Sequence, residues 1–212
     1  MKAGIEAWRE GFSQRAAAVA AAYTSATRLQ DAGDQAITRV EHPQTGLSID
    51  VPSGWQIMVS NDYDGPLRLF GLTILSRIIL PREERAYGDG KPWTTLKVRG
   101  APDAGLYLVV RSTPLTQTLD DVVNDRWNKQ LGLEFLGQTP DLKIGPFEGF
   151  SVRRKVPGGA MLTGFGRVNS PVATRMVWLG RGDTSVELTG MARLDQTQVQ
   201  EAIDAMVDSL SC

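Results

Sequence analysis

The spacing of hydrophobic residues changes once along the chain, from a helical period to an alternating one. Over residues 3–30, apolar side chains recur at three- and four-residue intervals in an alanine-rich segment, which predicts one long helix. The polar stretch QDAGDQ at 30–35 ends this helix, and from residue 36 onward apolar and polar positions alternate. The sequence therefore predicts an N-terminal helical extension, residues 1–33, followed by a domain at residues 36–212.

Alternating runs bounded by glycine, proline and other turn residues predict the strands of this domain. In the first clear run, Leu47, Ile49 and Val51 alternate with polar residues before a turn at 52–54. The predicted strands are 36–41, 47–51, 55–60, parts of 67–80, 94–99, 105–112, 149–156, 160–168, 173–179 and 184–192. Short turns at 157–159 and 180–183 favour antiparallel hairpins.

Two amphipathic helices are predicted between and after these strands. The first covers residues 118–131 and begins at Thr118, because Asp121 three residues later completes a capping-box signature. The second covers residues 196–210. Asp195 is its predicted capping residue, with Gln198 three residues later in the capping-box position. Its core-facing residues are Val199, Ile203, Met206 and Leu210. A helix with one apolar face needs a sheet to cover, so the sequence predicts an α+β fold with an antiparallel sheet.

Composition and charge exclude some classes of partner and location. The chain has 212 residues and a formal net charge of −1, so it has no overall positive field to attract nucleic acid. The longest strongly apolar run, residues 67–80, is interrupted by Arg68 and Arg77, and we expect no transmembrane segment. The apolar stretch 16–22 follows several charged residues, so no signal peptide is evident in this sequence. Whether a leader or anchor lies upstream of it is left undecided.

Residues that could support catalysis are sparse and scattered. His42 is the single histidine, Cys212 is the single cysteine, and no G-x-S-x-G motif occurs. We interpret His42, which precedes Pro43, as a solvated or capping histidine and Cys212 as a free thiol. The sequence therefore assigns no catalytic, cofactor-binding or metal-binding residue, and the protein is expected not to be an enzyme.

Arg153, Arg154 and Lys155 form the densest positive cluster in the sequence. On a strand, Arg153 and Lys155 point to one face, whereas Arg154 points to the other face beside Phe150 and Val152. The run therefore cannot present three charges together.

A modest anion-binding patch is the functional interpretation of this cluster. Arg167 and Arg175 lie on predicted neighbouring strands, where they can join Arg153 and Lys155 on one face of the sheet. The alternative is a sheet surface in which acidic residues pair with these side chains.

The predicted N-terminal helix carries a narrow stripe of large apolar side chains. Ile5, Phe12 and Val19 fall seven residues apart, and Trp8 lies three residues after Ile5. An isolated helix of this length is marginal in water, so the stripe requires a partner surface. We expect Ile5, Trp8, Phe12 and Val19 to bind another protein, and packing on the chain's own sheet is the alternative.

The order of elements resembles a known superfamily. The opening TGLSIDVPSGW, the central helix TLDDVVNDRWNKQL, the strand entry IGPFEGFSVRRKV and the final strand VELTGMA together resemble the PsbP-like and DcrB-like proteins. The resemblance covers residues 36–212. It implies an α/β/α sandwich with a twisted antiparallel sheet.

Members of that superfamily are mostly non-catalytic: extrinsic photosystem subunits, envelope lipoproteins and chaperones of secreted effectors. The resemblance therefore implies a bacterial binding or assembly role in the extracytoplasmic cell envelope, with no cofactor. The N-terminal helix and the long segment 62–93 depart from the family pattern, and loops and extensions often carry a protein's specific function.

Three functions are compatible with the sequence. The first is a non-catalytic accessory subunit or adaptor that docks on a larger complex, in the cell envelope or at a membrane, through its N-terminal helix. The second is an envelope protein that binds a small ligand or lipid, which requires an apolar pocket between sheet and helix. The third is an enzyme, which requires a cluster of acids or a metal site.

Overall fold

The alternating segments of the sequence form strands in the computed structural model, which describes most of the chain after residue 36. The described residues are 37–63, 67–69, 72–74, 80–81, 84–88, 90–101, 103–125, 130, 132–162 and 164–212. The predicted N-terminal helix, including Ile5, Trp8, Phe12 and Val19, lies outside these residues.

Strands dominate the described part of the chain. In chain order they are β1 (Ile37–Glu41), β2 (Ser48–Pro52), β3 (Gln56–Ser60), β4 (Asp62–Tyr63), β5 (Leu67–Leu69), β6 (Leu72–Ile74), β7 (Leu80–Pro81), β8 (Arg85–Ala86), β9 (Thr95–Ala101), β10 (Ala104–Arg111), β11 (Glu134–Ile144), β12 (Phe147–Val156), β13 (Met161–Leu162), β14 (Gly166–Arg167), β15 (Val172–Arg181) and β16 (Thr184–Arg193). The helices are α1 (Leu119–Asn124) and α2 (Thr197–Asp208).

Eight strands form the main sheet, in the order β11-β12-β15-β16-β10-β9-β3-β8. Every pair of neighbours in this sheet is antiparallel. The turn at 180–183 joins β15 to β16 with Arg181 opposite Thr184, and Gly182 there has a φ of +57°, a conformation that glycine adopts without strain. The predicted antiparallel α+β fold is confirmed.

One face of the main sheet, the α2 face, packs against helix α2 and the β1–β2 hairpin. Val177 and Leu179 of β15 share one hydrophobic cluster with Ile203 and Met206 of α2 and with Ile49 of β2. The α2 helix lies so close to the sheet that a Cβ on Gly190 would meet Ile203 Cγ2 at 2.5 Å. The apolar stripe predicted for the last helix therefore forms much of the core.

The opposite face of the sheet, the α1 face, packs against helix α1. Its central cluster consists of Val122 of α1 together with Phe150 and Val152 of β12 and Met176 and Trp178 of β15. Because Trp178 and Leu179 are consecutive on one strand, their side chains belong to different faces. The two helices therefore cover opposite faces of the sheet.

The sequence prediction misses one long strand. It leaves residues 133–144 as a polar loop, whereas the structure places β11 there as the outer strand beside β12. The register between β11 and β12 shifts between Phe135 and Gly137 and again between Thr139 and Leu142. Each irregularity changes which side chains face the core, so the alternating pattern that marks the other strands is lost.

Three other boundaries differ from the prediction. The helix predicted over 118–131 ends at Asn124, with Asp125 as its C-cap residue. The predicted strand 160–168 is instead a small hairpin of β13 and β14, in which Gly164 has a φ of +81°. The last helix begins at Thr197 with Gln196 as its N-cap residue and without a side-chain cap. Asp195 does not cap it because its carboxylate accepts a hydrogen bond from Arg193 Nε at 3.0 Å. The capping box of Thr118 and Asp121 is confirmed at α1.

Candidate functional site

The predicted basic cluster lies on the α2 face, where acidic residues pair with it. Arg153 and Arg175 are directly opposite each other on β12 and β15. The Asp204 carboxylate of α2 forms an ion pair with each of them, with its Oδ1 3.2 Å from Arg153 Nη2 and 3.5 Å from Arg175 Nη1, and Asp208 Oδ1 lies 2.6 Å from Arg175 Nη2. This arrangement favours the alternative of a salt-bridged sheet surface.

The other two residues of the predicted patch lie apart from this cluster in the fold. Lys155 Nζ is 3.5 Å from Glu134 Oε2 on the outer strand β11. Arg167 is on the separate β13–β14 hairpin, opposite Met161. The structure therefore brings Arg153 and Arg175 together, while Arg167 does not lie on a strand next to β12 or β15.

Arg154 points away from its two basic neighbours, as the strand alternation predicts. It lies on the α1 face and is only 8% exposed. Among the described residues, no carboxylate forms an ion pair with Arg154, and its buried Nε has no hydrogen-bond partner. Burial lowers the pKa of the Arg154 guanidinium, and the nearby carboxylates of Glu187 and Asp125 oppose that shift. Arginine keeps its charge in proteins, so this is a buried cation without a direct counter-ion among the described residues.

Trp178 is a second buried donor on the α1 face without an acceptor. Its side chain is 4% exposed, and its Nε1 has no hydrogen-bond partner among the described residues. The indole ring stacks on Phe150, with ring centroids 5.0 Å apart and an interplanar angle of 23°. Stacking fixes the orientation of the indole, so the direction in which its N–H points is fixed as well.

Glu187 lies on the same face of the sheet as the two donors. It lies directly opposite Trp178 in the β15–β16 register, and it is also one of the acids whose field reaches Arg154. Its own carboxylate accepts a hydrogen bond from Arg111 Nη1 at 3.0 Å. Arg154, Trp178, Glu187 and Arg111 thus lie on the same face of the sheet, and we call them the Arg154 cluster.

The sequence indicates part of this cluster and misses the rest. Strand alternation alone places Arg154 beside Phe150 and Val152. Glu187 carries a weaker signal, because a charged residue within the run VELTGMA is unusual in a strand that is buried on both faces. Trp178 carries no signal, since a tryptophan in an apolar strand is expected in any core.

His42 is a structural residue in a tight turn. It is 1% exposed, and its Nε2 lies 2.8 Å from the carbonyl oxygen of Trp93. The backbone N–H of Thr45 donates to His42 Nδ1 at 3.3 Å, and Thr45 Oγ1 is 3.0 Å from the same nitrogen. Nδ1 is therefore the acceptor and Nε2 carries the proton. The expectation of a solvated histidine is wrong, because the turn before β2 folds back over the ring, whereas the capping role is confirmed.

We expect the stability of the protein to fall as the pH drops below about 6.5. Burial lowers the pKa of His42, with the hydrogen bond to Trp93 opposing the shift. The unfolded chain therefore takes up a proton that the folded chain resists, and the contribution of neutral His42 is complete above pH 6.5 and is lost as the pH falls below it. Urea unfolding at pH values from 7.5 to 5.5 measures this slope.

The variant His42→Gln is the control for that experiment. His42 is the single histidine, and the acids whose pKa values are lowered by their partners, such as Glu84 and Asp195, titrate below this pH range. The variant should be less stable than the wild type at pH 7.5 but should show almost no slope between pH 7.5 and 5.5. An unchanged slope in the variant would assign the effect to another group.

Metal-binding clusters and membrane-spanning helices are absent from the described part of the chain. Within it, no group of three or more His, Cys, Asp or Glu residues is placed to hold a metal ion. The longer of the two described helices, α2, has 12 residues, and no helix in these ranges is long and apolar enough to span a membrane.

Comparison with known proteins finds similar solved structures but no matching family model. No family model matches the chain, and no curated protein matches it. A cyanobacterial PsbP from Synechocystis sp. PCC 6803 is similar at 13% identity and a TM-score of 0.45, covering 85% of this chain and 94% of that chain. Protein PA94 of unknown function from Pseudomonas aeruginosa is similar at 15% identity and a TM-score of 0.39, covering 85% and 98%.

A third similar structure is LpqN, which is involved in cell envelope biogenesis of Mycobacterium tuberculosis. Its identity is 14% and its TM-score 0.37, covering 84% of this chain and 91% of that chain. A PsbP protein is thus among the similar structures. At these identities and TM-scores, function has to be inferred from the residues of the chain itself.

Proposed function

We propose that this protein is a non-catalytic accessory or assembly subunit of the cell envelope, which docks on a larger protein complex through residues 1–33. The docking surface is the apolar stripe of Ile5, Trp8, Phe12 and Val19. In this proposal the sheet domain is a folded base that presents the stripe.

The observation that carries the proposal is that both faces of the main sheet already have a cover. Helix α2 and the β1–β2 hairpin cover one face, and helix α1 packs on the other. Ile37, the first described residue, is 65% exposed, and the buried core begins at Val40. Because the sheet of this chain is already covered, we infer that the apolar stripe upstream of Ile37 is buried against a second protein.

Deletion of residues 1–33 tests the proposal. The shortened protein should keep its melting temperature, because the described core lies downstream of the deletion, and it should lose the complex that the full chain forms. Co-purification with mass spectrometry identifies the partner, and thermal unfolding measures stability. A large fall in melting temperature with unchanged partner binding would show that the helix packs on its own domain instead.

A pair of substitutions separates the stripe from the rest of the helix. In the full chain, Trp8→Asp with Phe12→Asp should abolish co-purification, because two buried aromatic side chains would supply roughly 2 kcal/mol each to the interface. Gln14→Asp is the control, since it adds one of these two negative charges off the stripe and should leave binding intact. Equal losses from both variants would mean that charge, and not the apolar stripe, controls binding.

A further inference from the structure

The ring of His42 joins two segments that are far apart in the sequence. His42 is 1% exposed, and its Nε2 donates to the carbonyl oxygen of Trp93, 51 residues away, at 2.8 Å. The two rings also meet edge to face, with centroids 4.6 Å apart. The turn at residues 42–47, which we call the His42 turn, is thereby fastened to the segment that leads into β9.

The same ring holds the His42 turn together from within. Its Nδ1 accepts from the backbone N–H of Thr45 at 3.3 Å and lies 3.0 Å from Thr45 Oγ1. That oxygen accepts from the N–H of Leu47, and its own proton is directed at the unprotonated Nδ1. Nδ1 therefore faces two donors, and the ring fits the turn only while this nitrogen carries no proton.

The charged groups around the turn do not offset a second proton on the ring. Burial lowers the pKa of His42 and the bond to Trp93 raises it, and no charged side chain of the described residues contributes. Glu41 and Lys91, on the two segments that the ring joins, are exposed. The other titratable groups on the surrounding elements have partners elsewhere: Arg39 with Asp50, Arg85 with the carbonyl oxygens of Lys91 and Pro92, Tyr87 with the N–H of Glu41, and the Cys212 thiol with the carbonyl oxygen of Thr45, while the Cys212 main-chain oxygen lies beside Gly145. An imidazolium would thus be a buried charge without a counter-ion in the described part of the chain, which folded proteins strongly disfavour.

Strand β1 and the His42 turn are the part of the domain that can open around this charge. Among the described strands, β1 pairs only with β2, in a two-stranded sheet separate from the main sheet. Val40 is the one buried residue of β1, whereas β2 is anchored in the main core through Ile49 and Val51. Opening β1 together with the turn therefore exposes little apolar surface and brings the ring into water.

We propose that His42 is a pH-sensitive latch: when its ring takes up a proton, the His42 turn and β1 detach from the Trp93 segment, while β2 and the main sheet stay folded. In the closed form the neutral ring accepts from Thr45 and donates to Trp93. In the open form the protonated ring is hydrated, and the buried side chains of Val40 and Trp93 become accessible. The latch is built into the sheet domain, and neither its operation nor its test depends on the docking of residues 1–33.

Hydrogen exchange of backbone amides at pH 7.5 and 5.5 tests the latch in the full chain. The N–H groups of His42 and Gly46 donate to carbonyl oxygens within the turn and report its opening. After correction for the intrinsic effect of pH on exchange, their protection should fall about tenfold at pH 5.5, because an opened histidine has its usual pKa of about 6.5. They should also exchange faster than the amides of β15, which lies between β12 and β16. Unchanged protection of the turn would overturn the proposal, and so would equal rates for the turn and β15, since these would mean that the whole domain unfolds.

Two variants at adjacent positions assign the effect to the ring. His42→Gln removes the group that takes up the proton, whereas Glu41→Gln removes the neighbouring exposed carboxylate and is the matched control. The tenfold pH dependence of turn protection should vanish in His42→Gln and remain in Glu41→Gln. A His42→Gln protein that keeps this dependence, or a Glu41→Gln protein that loses it, would refute the latch.

A measurement on the unaltered protein covers the case in which His42→Gln fails to fold. Because His42 is the single histidine, its ring signals are identified in an NMR spectrum without any variant. As the pH falls, signals of the protonated ring should appear together with amide signals of Thr45 and Gly46 at the positions of an unstructured chain. Protonation of the ring while the Thr45 and Gly46 signals stay in place would show that the closed turn accepts the charge, in contradiction to the proposal.

Discussion

Replacing Gly149 with alanine should destabilise the protein by about 3 kcal/mol or more. A Cβ at this position would lie 1.8 Å from the carbonyl oxygen of Trp178 and 2.8 Å from its carbonyl carbon. Both atoms belong to the backbone of β15, which is held between β12 and β16, so they cannot move aside without breaking the ladders on either side. Urea unfolding monitored by circular dichroism measures the loss.

Gly137→Ala is the matched control for this prediction. Gly137 lies on the neighbouring strand β11, and a Cβ there would have no heavy atom within 4 Å. Its replacement should change the free energy of unfolding by no more than about 0.5 kcal/mol, as is usual for surface positions. Equal losses in the two variants would show that the loss of glycine itself, rather than the contact with Trp178, governs the effect.

Replacing Phe147 with alanine should cost about 3–5 kcal/mol, the usual range for a buried phenylalanine. The side chain is 0% exposed and belongs to the main core cluster at the start of β12. The guanidinium carbon of Arg181 lies 5.1 Å from the centre of its ring, so the variant also loses a cation–π contact. The midpoint of urea unfolding should fall accordingly, with the slope unchanged.

Leu136→Ala provides the comparison for Phe147. Leu136 is 55% exposed on β11, so its truncation removes little buried surface. We expect a change of no more than about 0.5 kcal/mol, within the range for surface substitutions. A loss of less than about 1 kcal/mol for Phe147→Ala would mean that the core relaxes around the missing ring, in conflict with the tight packing inferred here.

The strands that were predicted correctly are those with regular alternation on both sides of a short turn. The ranges 173–179 and 184–192 match β15 and β16 to within two residues at each end, because a two-residue turn fixes their register. Strand β11 was missed because two irregularities interrupt its alternation. The start of α2 was misplaced because the Asp195 side chain bonds to Arg193, two residues earlier, and does not cap the helix.

The candidate site was predictable only where it depends on one strand. The alternation of Arg153, Arg154 and Lys155 is local, and the opposite orientation of Arg154 follows from it. Trp178 and Glu187 join the cluster through the pairing of β12 with β15, which the β13–β14 hairpin separates in sequence, and of β15 with β16 across a two-residue turn. The lack of an acceptor for Arg154 is likewise a property of the packed structure, and no single stretch of sequence carries it.

The two edges of the main sheet differ greatly in the backbone that they offer to another molecule. Strand β11 is 11 residues long, whereas β8 at the opposite edge has two. The long edge is a poor template for non-specific strand pairing. Pro140 in β11 has no N–H to donate, and two irregularities interrupt the strand. Two copies that did join along β11 would each use up their long edge, and the short edges left over could not add a third, so such an assembly would close as a dimer and could not grow into a fibre.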